Sequence, residues 1–200
     1  MAFSLPSARF PLSLTTLRRV ALGAVLLPAV LLVTDPARAE MDLPLESPIV
    51  KLMMSQNWPE FKRTLMGGTN ANSTDQSKQP LLVLAARNNM PQAVEILLEQ
   101  QAKIDLQDSF GNSALLWAAD QNNVEILEKL IRAGANVNLQ NRQGVTPLMR
   151  AAEKGSVASV EKLLKSGADA SINDYTGRDA LSWGQAGGNG KIQRLLEKAR

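Results

Sequence analysis

A chain of 200 residues with neither histidine nor cysteine has little covalent chemistry open to it. No Ser–His or Cys–His nucleophile can be assembled. Only Ser–Lys pairings remain, and the serines and lysines lie mostly in turn-rich stretches and on helix faces. Zinc and haem ligands of His or Cys type are missing too. A tyrosinate haem ligand at Tyr175, the single tyrosine, is conceivable, but no metal and no cofactor is expected. Gly187-Gly188-Asn189-Gly190 has no strand before it and no Lys-Ser/Thr after it, so it reads as a loose turn rather than a phosphate loop. Asp105, Asp108, Asp169 and Asp174 lack the spacing of a calcium loop and read as solvated turn residues. The chemistry left is recognition. Trp, Tyr and Arg carry most of the energy at binding surfaces, and only six aromatics lie beyond residue 39: Trp58, Phe61, Phe110, Trp117, Tyr175 and Trp183.

The elements that position these residues recur with a period of 33. Gly111, Gly144 and Gly177 sit one period apart. Thr146-Pro147-Leu148-Met149-Arg150-Ala151-Ala152 repeats Ser113-Ala114-Leu115-Leu116-Trp117-Ala118-Ala119 and, one period earlier, Pro80-Leu81-Leu82-Val83-Leu84-Ala85-Ala86. Ala133-Gly134-Ala135-Asn136-Val137-Asn138 returns as Ser166-Gly167-Ala168-Asp169-Ala170-Ser171. A fixed period of this length predicts a stack of supersecondary units. Each unit should hold two short helices and a projecting turn. Pro147 suits a first helical turn. Gly155 suits a left-handed helix end, and Asn122 and Asn89 hold the same place in earlier units. Val124, Ile126, Leu127, Leu130 and Ile131 form an apolar stripe flanked by Glu125, Glu128, Lys129 and Arg132, as in an amphipathic helix.

These motifs resemble the ankyrin family. The third unit is nearest to the family pattern, with Asn141-Arg142-Gln143-Gly144-Val145-Thr146-Pro147-Leu148, Ala151-Ala152, Gly155, Leu163-Leu164 and Gly167-Ala168-Asp169. The resemblance implies an all-α solenoid of about five helix-turn-helix units with β-turn fingers. The units are 47–79 (a degenerate N-cap), 80–112, 113–145, 146–178 and 179–200 (a C-cap). Gly67 to Gln79 should form one long finger in register. The family often carries His after Thr-Pro-Leu; Met149, Leu116 and Val83 stand there instead, so the loop hydrogen bonding that His supports must be replaced or lost.

The resemblance also implies a concave groove lined by fingers and inner helices. The place two residues after the motif leucine holds Leu84, Trp117, Arg150 and Trp183, with Phe110 and Tyr175 on nearby fingers. The expected partner-binding set is Phe110, Trp117, Arg150, Tyr175 and Trp183, with Asp120 and Lys154 in a second exposed row. Trp117–Arg150–Trp183 would grip a segment by burial and cation–π stacking; the competing reading lays both tryptophans on neighbouring helices and pairs Arg150 with Glu153. Trp58 and Phe61 are expected in the core.

The first residues read as a targeting segment. Arg9, Arg18 and Arg19 precede any acid, Val20–Val33 is an apolar run of 14 residues, and Ala37-Arg38-Ala39 is an A-x-A cleavage site. Residues 1–39 are thus expected to be a cleavable signal and 40–46 an N-terminal extension, with an uncleaved anchor as the alternative. The general secretory route to a periplasm, or secretion, follows. Residues 40–200 contain 18 basic and 18 acidic side chains, so the basic excess of the whole chain resides in the leader. No nucleic-acid footprint is expected, no membrane contact after cleavage, and a monomer. The leading expectation is a non-enzymatic module binding an unidentified protein partner. The alternatives are an accessory protein for a periplasmic catalase or oxidative-stress enzyme, and a carrier holding a small ligand in a Trp-lined groove.

Overall fold

The computed structural model describes residues 47–200. The expected signal and N-terminal extension lie outside the described residues. Ten helices follow in pairs: α1 Pro48–Met54, α2 Trp58–Met66, α3 Leu81–Arg87, α4 Pro91–Glu99, α5 Ala114–Asp120, α6 Val124–Arg132, α7 Pro147–Glu153, α8 Val157–Lys165, α9 Ala180–Ala186 and α10 Gly190–Lys198. Odd-numbered inner helices have seven residues and even-numbered outer helices nine. From α3 onward each inner helix packs on the next inner helix, and each outer helix on the next outer helix. This is the all-α solenoid that the resemblance implies.

Backbone conformation follows the same register. Every described residue with positive φ falls on one of three 33-residue ladders. Gln56, Asn89, Asn122, Gly155 and Gly188 close the inner helices; Gly68, Gln101, Gly134 and Gly167 close the outer ones; Lys78, Gly111, Gly144 and Gly177 turn the fingers. Asparagine has a further use in the first ladder. The Asn89 amide oxygen accepts from Asn123, and that of Asn122 accepts from Ser156, so each helix end ties to the outer-helix cap of the next unit.

Small alanines (Ala85-Ala86, Ala118-Ala119, Ala151-Ala152) let the inner helices approach closely, and all six are buried. Phe61 is fully buried in the first unit, with Trp58 against it edge-on at 6.3 Å between ring centroids. The finger 67–80 keeps register: its Thr74–Pro80 bridge corresponds to Gln107–Ser113 one period on. On the outer face Lys62–Glu99, Glu95–Lys129, Glu128–Lys162 and Glu161–Lys191 join successive outer helices. The hydrogen bond from Lys129 holds the Glu95 carboxyl below its usual range, and Lys162 does the same for Glu128. No helix among the described residues is long and apolar enough to cross a membrane.

Candidate functional site

Each finger is built around one short polar side chain. The Asp108 carboxylate accepts from the backbone N–H groups of Phe110 and Asn112, both at 2.9 Å. Asn141 does the same for Gln143 and Val145, and Asp174 for Thr176 and Arg178. Neighbouring fingers then join through their backbones: Arg142 N–H donates to the Phe110 carbonyl and Tyr175 N–H to the Gln143 carbonyl, each at 3.1 Å. Gln107 and Gln140 each donate to a carbonyl of their own finger and to one of the next.

Asp108 and Asp174 are buried, which corrects their reading as solvated turn residues. The reason is the tryptophans. The Trp117 indole N–H donates to Asp108 Oδ2 and that of Trp183 to Asp174 Oδ2, both at 2.9 Å. Burial opposes ionisation of Asp174, but donors from Thr176, Arg178 and Trp183 outweigh it and lower its pKa. The missing histidine is replaced in part here and in part by Met149, whose sulfur accepts the Thr146 N–H at 3.4 Å while Thr146 Oγ1 caps the helix. Where Arg150 stands in place of tryptophan, Asn141 donates instead to Asn112 Oδ1 at 2.9 Å.

The expected site residues therefore separate. Trp183 is only 9% exposed and belongs to the core; the expectation that it faces an open groove is corrected, because its indole is bound to Asp174 and its ring is stacked by Arg178 at 4.5 Å and Arg150 at 5.4 Å. Leu84, at the equivalent place in the second unit, is buried as well. Trp117 is partly buried, and it is Arg87, not Arg150, that lies over its ring, at 5.9 Å. The continuous Trp117–Arg150–Trp183 grip does not form. Arg150 donates to Glu153 at 2.7 Å and lies 3.5 Å from Asp120, which also meets Lys154 at 3.4 Å. Asp120, Arg150 and Lys154 are thus one ion-pair cluster. Phe110 and Tyr175 remain on the surface at 67% and 73% exposure.

Phe110, Trp117 and Arg150 do come together. With Gln79, Arg87 and Arg142 they line a cleft of about 540 Å³ between the fingers and the inner helices. Tyr175 and Trp183 are not among its lining residues. Gln79, Arg87 and Arg142 were not in the expected binding set. Their signal was weak because the three come from different places in the repeat: a helix end, a fingertip and a finger base. Among the described residues no three His, Cys, Asp or Glu side chains gather as a metal site.

The family model for ankyrin repeats matches the chain in three overlapping copies, over residues 48–141, 82–174 and 115–199. No curated protein matches it.

Proposed function

The chain belongs to the ankyrin-repeat family, whose members are generally protein-interaction modules, and on that premise we propose that it is a non-enzymatic module holding one partner protein on its finger side. The observation that carries this is the exposure of Phe110 and Tyr175, both on fingers, whereas the other aromatic side chains among the described residues are buried or partly buried. Both stand on fingers whose backbones are fixed to their neighbours, so binding need not order them first. Aromatic anchors on a rigid frame are the usual seat of interface energy.

The test is site-specific photo-crosslinking in the native cell, with the probe at Phe110 or Tyr175 and a control at exposed Ala158 on α8. One discrete heavier species from both finger positions, and none from Ala158, is expected. Replacing Phe110 and Tyr175 together by Ala should weaken that complex by about 2–4 kcal/mol and change folding stability by less than about 0.5 kcal/mol, since both are exposed. Equal crosslinking from fingers and control would sink the reading.

The place of action we propose is the periplasm. The support is the basic front at Arg9, Arg18 and Arg19, the apolar run Val20–Val33 and the Ala37-Arg38-Ala39 site. N-terminal sequencing of the protein from cells should begin at Glu40; a start at Met1 or Ala2 refutes cleavage.

A further inference from the structure

Charge is distributed unequally between the two faces of the stack. On the outer face Glu95, Glu128 and Glu161 each meet a lysine of the next outer helix. The cleft is different. It is lined by Arg87, Arg142 and Arg150 and by no acidic side chain. Arg150 is balanced by Glu153 and Asp120. Arg87 and Arg142 have no acidic partner among the described residues. Two arginine side chains without an ion-pair partner therefore line one cleft, and each guanidinium is a fork suited to a carboxylate.

A second, independent observation points at the same space. Gln79 lines the cleft and is 7% exposed, yet its side-chain Oε1 has no hydrogen-bond partner. Its backbone is not free to turn away: Gln79 N–H donates to Asp75 Oδ1 at 2.8 Å, and its carbonyl accepts from Asp75 N–H at 3.0 Å. A buried acceptor without a donor is costly in the unbound protein and is satisfied when a ligand brings an N–H.

We propose that this cleft is the specificity site of the module and takes an extended segment of the partner protein carrying an Asp or Glu next to an apolar residue. The carboxylate lies between Arg87 and Arg142, the apolar neighbour lies on Phe110, and a backbone N–H of the segment donates to Gln79 Oε1. A peptide unit supplies all three groups at once: anion, apolar side chain and amide donor. The cation–π contact of Arg87 with Trp117 holds one guanidinium in place before binding. This assignment rests on the reading of the chain as a protein-binding module.

The test uses the full chain and immobilised nonapeptide libraries with a fixed central Leu-Glu, Leu-Gln or Leu-Lys pair. Leu-Glu peptides are expected to be retained, and the tightest of them to lose about tenfold in affinity on Glu→Gln exchange within the peptide. Arg87→Gln and Arg142→Gln should each weaken it by about tenfold, and raising salt from about 50 to about 500 mM should weaken it further. Lys191→Gln on the outer face should have no effect. Equal retention of Leu-Glu and Leu-Gln peptides, or full affinity in both arginine variants, overturns the proposal. So does displacement of the peptide by free glutamate, which would make the occupant a small carboxylate. If these fail while Phe110 and Tyr175 still crosslink one partner, the charge assignment falls and the binding module stands. If the crosslinks fail as well, the module reading falls with it.

Discussion

Gly144→Ala and Gly134→Ala each add one methyl group at a left-handed conformation, yet they should differ widely in cost. Gly144 has φ +79° and Gly134 φ +92°, so alanine is strained at both, by about 1–2 kcal/mol. At Gly134 a Cβ would meet nothing within 4 Å. At Gly144 it would stand 2.7 Å from the Tyr175 backbone nitrogen and 2.7 Å from Tyr175 Cδ1. The ring can rotate, but the backbone nitrogen is held to the Gln143 carbonyl at 3.1 Å and cannot yield without parting two fingers. Overpacking of this kind adds about 1–3 kcal/mol, and loss of the inter-finger hydrogen bond about 1 kcal/mol more. Gly144→Ala should therefore cost about 3–6 kcal/mol against about 1–2 kcal/mol for Gly134→Ala. Urea unfolding followed by far-UV circular dichroism measures both, with the slope checked for constancy so that midpoints can be compared. Gly111→Ala, 2.7 Å from the Arg142 nitrogen, should behave like Gly144→Ala. Equal midpoints for the Gly144 and Gly134 variants would show that the fingers do not lean on one another, and the account of a rigid finger row would be wrong.

Two further outcomes follow from the buried finger acids. Trp183→Phe keeps an aromatic ring but removes part of the indole and the donor to buried Asp174, so it should destabilise by about 1–3 kcal/mol or more in the same urea assay; a change below about 0.5 kcal/mol would make that hydrogen bond dispensable. Asp174 has a folded pKa below its usual 3.8, so the stability it contributes is fully present above that value and is lost as pH falls below it. The melting temperature should be level from neutral pH down to about pH 5 and fall below about pH 4, with a shallower acid limb in Trp183→Phe; parallel acid limbs in the two proteins would remove Trp183 from the explanation.

The repeat register was legible because it is written in residue types that backbone conformation demands. Gly155, Asn122 and Asn89 announce left-handed turns directly. Gln56, Lys78 and Gln101 do not, and only the period reveals that they adopt the same turn. Trp183 misled because scarcity of aromatics suggested a binding role, whereas its indole N–H answers a local need. The clue was only partial: each of Trp117 and Trp183 follows an aspartate by nine residues, but Leu84 follows Asp75 by nine as well, and Arg150 follows Asn141. A buried carboxylate needs donors, and tryptophan offers one on a large apolar body. The cleft was not legible. Gln79, Arg87 and Arg142 occupy three different repeat positions, and only the three-dimensional stack brings them beside Phe110 and Trp117.

The balanced charge of residues 40–200 hides this arrangement, because a net of zero says nothing about where the charges cancel. On the outer face they cancel locally, acid against lysine, one helix to the next. Such exposed pairs add little stability, but they cancel charge along most of that face, with Arg194 and Lys198 on α10 left over at its C-terminal end. Around the cleft Arg150 is cancelled by Glu153 and Asp120, and Arg87 and Arg142 are left over. Two positive charges in one recess are too few for a phosphate backbone, which is held by a long array of cations. They match a single carboxylate on a chain that the fingers can also grip. Neutrality overall and selectivity in the cleft are thus compatible.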